Sequence, residues 1–267
     1  MSAGKRGRQE ATRRRVEAAQ AEQRRADRNR RLAIGGSVLV AIAILVSVVV
    51  LVVTHHRSSD ASAPPTTVRP TSASDFGPGR CPMANGGSPR KVTFTAPPPK
   101  CIDVTAHYVA TFGTSAGNFR VALDAASAPV TVNNFVVLAL YHYYDGTTFH
   151  RAIPGYIVQG GDANGHPPGT GSPGYTIADE FPASLSDYVP GTIAMANSDT
   201  PHSGASQFFF WLGPNPLPGP TYSAFGKVVA GLDVVREIEA TGSPSGAVAH
   251  PVTIRAVTIG AVQVTSH

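Results

Sequence analysis

Positive charge is scarce over most of the chain. Beyond residue 31 there are 11 Lys and Arg against 13 Asp and Glu, a net of −2, which gives no case for a nucleic-acid-binding surface. Cysteine is scarcer still: Cys81 and Cys101 are the only two, so one intramolecular disulfide is permitted and the alternative is two free thiols. No phosphate loop is present, because Gly160-Gly161-Asp162-Ala163-Asn164-Gly165 is not followed by Lys-Ser/Thr. A hydrolase nucleophile elbow is missing too: Ser206 in Gly204-Ala205-Ser206-Gln207-Phe208 lacks the glycine two residues later. No cofactor and no metal are expected. Lysine is rare beside arginine, 4 to 18, and Ala, Gly, Pro and Val are plentiful, a composition that points to a GC-rich bacterial genome.

What is there is unevenly distributed along 267 residues, a length for one or two domains. Residues 1–31 carry 11 Lys and Arg and 4 Asp and Glu, a net of +7. An uncharged apolar run of 22 residues, 32–53, follows at once. As a helix at ~1.5 Å per residue it would span the ~30 Å hydrocarbon core. The positive flank is N-terminal, so residues 1–31 are expected as a cytoplasmic tail, with everything after 53 extracytoplasmic. A cleaved signal peptide is the competing reading. Its apolar region should be only ~7–15 residues long, and Pro64 directly after Ala61-Ser62-Ala63 suits a cut poorly. The expectation is therefore a single-pass membrane protein with the lipid bilayer as a partner through 32–53. Residues 54–80 are rich in Ser, Thr, Ala and Pro and should form a disordered tether. The linker is taken to run to 101, with the Cys81–Cys101 pairing open inside it.

From 102 to 267 the chain reads as one globular domain. Hydrophobic content of 42% with 27 Gly and 23 Pro points to a loop-rich β architecture. Strand-like runs fall at 104–112 and 118–123 around a Gly-rich turn, then at 192–196, 207–212, 225–229 and 252–264. Helices are expected over 128–140, with Pro129 at the first turn, and over 231–240. In 128–140 the apolar positions 132, 135, 136 and 139 fall on one helical face. In Phe208-Phe209-Phe210-Trp211, alternation puts Phe209 and Trp211 on one face and Phe208 and Phe210 on the other.

The most informative stretch is 148–162, two short β-type runs joined at Pro154-Gly155 and closed by Gly160-Gly161-Asp162. Alternation sends Arg151 and Gln159 to a different face from their apolar neighbours, above Tyr156 and Ile157. That arrangement can hold a peptide, without a nucleophile or a metal ligand. Phe149-His150-Arg151-x-Ile153-Pro154-Gly155-Tyr156-x-x-Gln159-Gly160-Gly161-Asp162 resembles the signature of the cyclophilin peptidyl-prolyl cis-trans isomerases. Met195-Ala196-Asn197, Ser206-Gln207-Phe208-Phe209 and Phe225-Gly226-Lys227-Val228 extend the resemblance over about 102–265 in order and spacing.

The resemblance implies a mainly β fold, a closed eight-stranded antiparallel barrel capped by two α-helices, with the active site on its outer surface. It places the catalytic arginine at Arg151. The proline pocket falls at Tyr156, Ile157, Phe209, Leu217 and Tyr222, and the substrate backbone and preceding residue at Gln159, Gln207, Ala196 and Asn197. The partners implied are proline-containing polypeptides, here exported or cell-surface proteins. Two departures stand out. Leu217 replaces the tryptophan of many eukaryotic members and Tyr222 the usual histidine, within the proline-dense segment 213–220, so cyclosporin binding should be weak. One extra residue lies between Met195 and Gln207, in Asp199-Thr200-Pro201-His202. His150 is expected to pack, since isomerisation abstracts no proton. The alternative to an isomerase is a non-catalytic peptide-binding or chaperone module of the same fold at the cell surface.

Overall fold

The computed structural model describes residues 76–184, 188–213 and 222–262. Among them no helix is long and apolar enough to cross a membrane. The basic tail 1–31, the apolar run 32–53, the linker as far as 75, and Leu217 all lie outside the described residues.

Among the described residues, eight strands and two helices follow one another as β1 His107–Thr114, β2 Asn118–Leu123, α1 Pro129–Leu140, β3 Arg151–Ile153, β4 Ile157–Gly160, β5 Thr192–Met195, β6 Phe208–Trp211, β7 Ala224–Ala230, α2 Leu232–Ala240 and β8 Ile254–Val262. All strand pairs are antiparallel, in the order β3-β4-β6-β5-β7-β2-β1-β8. The sheet curls, but among the described residues no ladder joins its end strands, so it is an eight-stranded half-barrel and not the fully closed barrel expected. Its ends are tied just outside the strands. Among the described residues one bridge lies there, Thr148 to Thr253, flanked by Phe149 N–H to Val252 O at 3.0 Å and Ile254 N–H to Thr147 O at 2.8 Å.

The aromatic alternation of β6 separates two apolar clusters. Phe208 and Phe210 point into the main core with Phe112, Phe119, Phe135 and Phe225, whereas Phe209 and Trp211 join Ile157, Tyr188 and Ala194 in a smaller outer cluster. All four aromatic side chains of β6 are buried.

Helix α1 departs from the one-faced pattern, for Pro129 through Ala139 are buried all round. A helix buried on every side needs cover on its outer face as well. Residues 76–101 supply it, so this part of the presumed linker is a strap laid on the domain. Phe76, Val92 and Phe94 pack against the main core. Asn133 of α1 accepts the Cys101 N–H at 2.8 Å and donates to Pro99 O at 2.9 Å. Cys81 and Cys101 form a disulfide, with Cα atoms 5.5 Å apart. The helix has no side-chain cap from its own N-cap residue. Its first amides are satisfied from afar by Glu180, whose carboxylate accepts Val130 N–H at 2.9 Å and Thr131 N–H at 2.8 Å.

Candidate active site

The β3–β4 hairpin sets the register: Arg151 pairs with Gln159, Ala152 with Val158 and Ile153 with Ile157. Ala152 and Val158 enter the main core, leaving Arg151 and Gln159 together on the outer face. Gly161 ends the hairpin at φ +87°, where a Cβ would stand 2.6 Å from Ser206 O, so the closing turn demands glycine.

From this register a line of side-chain hydrogen bonds runs from β3 across β4 to Gln207, the residue just before β6. Arg151 Nη1 donates to Gln159 Oε1 at 3.1 Å, and Gln159 Nε2 donates to Gln207 Oε1 at 3.2 Å. Gln207 Nε2 then donates to Gly169 O and Gly171 O, each at 3.0 Å. Those carbonyls belong to a loop organised by Asp162. One carboxylate oxygen accepts Asn164 N–H and Gly165 N–H at 3.1 and 2.7 Å; the other accepts Gly169 N–H and Gly171 N–H at 2.5 and 3.1 Å. Burial raises the Asp162 pKa, but the four amides outweigh it and hold the carboxyl below its ordinary value. Neither the role of Asp162 nor that of the two glycine carbonyls was legible beforehand. The only sequence signal was a Gly-Gly-Asp turn before a Gly-rich loop.

Beside this polar line lies the outer apolar cluster. Ile157 and Phe209 are buried within it, and Tyr222 and Ala196 pack against it. The Tyr222 ring meets Phe209 edge to face at 5.0 Å and 84°. Tyr156, more exposed at 37%, stands edge-on to Trp211 at 4.9 Å. Burial raises the Tyr222 phenol above its usual pKa, a shift opposed by the charge of Arg151. Ala196 N–H donates to Gln207 O at 2.9 Å, and Asn197 Oδ1 accepts Asp199 N–H at 3.2 Å. The loop with the extra residue is pinned reciprocally: His202 N–H donates to Asp179 Oδ2 at 2.7 Å, and Asp179 N–H to His202 Nδ1 at 3.1 Å.

The structure thus brings Arg151, Gln159 and Gln207 into one network, and Ile157, Phe209, Tyr222 and Ala196 into one apolar cluster. Tyr156 stands at that cluster's edge through Trp211. His150 packs under the loop, its ring 3.3 Å from where a Cβ on Gly169 would stand. Burial lowers the His150 pKa, so the imidazole is neutral at pH 7.

A family model for cyclophilin type peptidyl-prolyl cis-trans isomerases matches residues 109–259. Peptidyl-prolyl cis-trans isomerase-like 3 of Dictyostelium discoideum is 38% identical over 134 residues, covering 48% of this chain and 80% of its own. Peptidyl-prolyl cis-trans isomerase ppi1 of Schizosaccharomyces pombe is 40% identical over 130 residues, covering 47% and 81%. The crystal structure of a Cryptosporidium parvum cyclophilin type peptidyl-prolyl cis-trans isomerase superposes with a TM-score of 0.53 at 27% identity, over 59% of this chain and 99% of that one. A second structure of it, in the presence of the dipeptide Ala-Pro, gives a TM-score of 0.52 at 28% identity, over 57% and 98%. The chain belongs to the cyclophilin-type peptidyl-prolyl cis-trans isomerase family and is an enzyme of that class.

Proposed function

We propose that this isomerase is a bacterial, membrane-anchored form that accelerates X–Pro isomerisation during the folding of exported proteins. Arg151 acts on the amide, and the proline ring sits on Ile157, Phe209 and Tyr222, with Tyr156 and Leu217 completing the pocket. Gln159, Gln207, Ala196 and Asn197 hold the substrate backbone and the preceding residue. The hydrogen-bonded line Arg151–Gln159–Gln207 beside the apolar cluster of Ile157 and Phe209 carries this reading. The Ala-Pro dipeptide present with the Cryptosporidium relative supports a proline-containing substrate.

The chemistry follows from the amide. Rotation about a peptide bond faces a barrier of ~18–20 kcal/mol because the twisted state loses resonance. No bond is made or broken, so neither nucleophile nor base is needed. On twisting, the prolyl nitrogen becomes pyramidal and regains its lone pair. A guanidinium held by Gln159 can donate to that nitrogen more strongly in the twisted state than in either planar one. Arginine suits the task because its charge and fork geometry are independent of pH, and lysine would replace it poorly. Leu217 offers no indole N–H, so cyclosporin should bind weakly.

The apolar run 32–53 and its N-terminal positive flank support an anchor with the catalytic domain outside the cytoplasm. The Cys81–Cys101 disulfide agrees with an oxidising compartment. The test is NMR exchange or a protease-coupled assay on a prolyl peptide, with Arg151→Ala alongside. Acceleration by the wild type and its loss in the variant are expected. Full activity in Arg151→Ala would defeat the mechanism, and peptide binding without acceleration would favour the non-catalytic module. Protease shaving of intact cells should reach the C-terminal domain; protection of that domain would reverse the topology.

A further inference from the structure

Tyr188 belongs to none of the sequence blocks above, yet it is 2% exposed, with its ring inside the outer cluster beside Phe209 and Trp211. Its hydroxyl donates to Tyr222 O at 2.5 Å and accepts Tyr222 N–H at 3.2 Å. One oxygen therefore serves both backbone groups of Tyr222, two residues before the β7 ladder begins at Ala224. The base of Tyr188 is itself fixed. Val189 N–H donates to Thr192 Oγ1 at 3.1 Å, Thr192 N–H returns to Val189 O at 2.9 Å, and Gly191 N–H donates to Trp211 O at 2.7 Å. The phenol is a post standing on the sheet, and Tyr222, edge-on to Phe209, is held against it.

We infer that Tyr188 is a positioning residue for the proline pocket: it fixes the backbone of Tyr222 so that the Tyr222 ring forms a set wall against Phe209. This rests on the proposed reading of Phe209 and Tyr222 as the walls of that pocket. Tyr188 does not touch the substrate. Removing its oxygen leaves the ring packed but strands the N–H and C=O of Tyr222. The wall then loosens, while Arg151, held by Gln159, stays in place. Substrate affinity should fall and the chemical step should not.

The experiment compares the full-length chain in detergent with Tyr188→Phe, Tyr222→Ala and the double variant, using an Ala-Ala-Pro-Phe peptide. Tyr188→Phe, which removes both hydrogen bonds, should raise KM about 5-fold, with kcat within about 2-fold. Hydrogen exchange at the Tyr222 amide should quicken by about 10-fold. In the Tyr222→Ala background, Tyr188→Phe should change KM no further. An unchanged KM with unchanged Tyr222 exchange, or an equal effect of Tyr188→Phe in both backgrounds, would overturn the inference. If the wild type fails to accelerate exchange, the catalytic reading falls separately. Peptide affinity and Tyr222 amide exchange then still decide the role of Tyr188.

Discussion

Replacing Asp162 by alanine should cost both stability and catalysis, although its carboxylate touches none of the residues proposed to bind substrate. Four backbone amides converge on it, from Asn164, Gly165, Gly169 and Gly171. Hydrogen bonds to a charged group are worth ~1.5–3 kcal/mol when buried. Here two of the four are exposed and the freed amides can turn to water, so about 0.5 kcal/mol each is the sounder figure, or about 2 kcal/mol in all. For a domain of this size that lowers Tm by about 4–8 °C. Gln207 would lose its fixed acceptors at Gly169 O and Gly171 O. Slackening there passes through Gln159 to Arg151, and about a 10-fold loss of kcat/KM corresponds to ~1.4 kcal/mol of transition-state stabilisation. Calorimetry and the isomerase assay on Asp162→Ala check both figures. The sign with pH is determined as well. The amides depress the folded-state pKa of Asp162, so its contribution is complete above the unfolded value of ~3.9 and is lost as pH falls through the lower folded value. The Tm gap between wild type and Asp162→Ala should therefore hold above the unfolded value of ~3.9 and narrow as pH falls below it. A variant with unchanged Tm and unchanged kcat/KM would refute the relay from Asp162 to Arg151.

Two further outcomes are expected. Cys81→Ser with Cys101→Ser opens a crosslink spanning 20 residues. That should cost ~3 kcal/mol in the chain-entropy model, read as a lower Tm and as faster hydrogen exchange along 129–139, the helix under the strap; an unchanged Tm would show that packing alone holds the strap. His150, whose pKa burial lowers, resists protonation in the folded state. Stability should therefore decline as pH falls below the unfolded value of ~6.5, while kcat/KM stays flat from about pH 7 to 8 because the imidazole transfers no proton. His150→Gln should remove the decline without removing activity, and a loss of activity in that variant would give the imidazole a chemical role.

Much was legible in the chain because it is local. Period-two alternation sorted Arg151 and Gln159 from Ala152 and Val158, and Phe209 and Trp211 from Phe208 and Phe210. A strand sends successive side chains to opposite faces whatever surrounds it. Pro129 marked the start of α1, since its ring presets the backbone and lacks an N–H that would go unpaired there. What a pattern of faces cannot state is which distant segment covers a face. The apolar face of 132, 135, 136 and 139 says nothing of the rest of α1, which is buried as well, with Asn133 bonded to Pro99 and Cys101 of the strap more than 30 residues before it.

The sequence by itself determined the family, the order of elements and the shared face of Arg151 and Gln159, because these rest on residue types at fixed spacing. Only the tertiary structure decided that Asp162 gathers a loop whose carbonyls hold Gln207, that Glu180 caps a helix about 50 residues away, and that Tyr188 anchors Tyr222. Asp162 finds its amides within nine residues, but Gln207, Glu180 and Tyr188 meet backbone 34 to 50 residues away, which only the folded chain brings beside them. Backbone donors and acceptors are the same at every position, so sequence carries no mark of which side chain will find them.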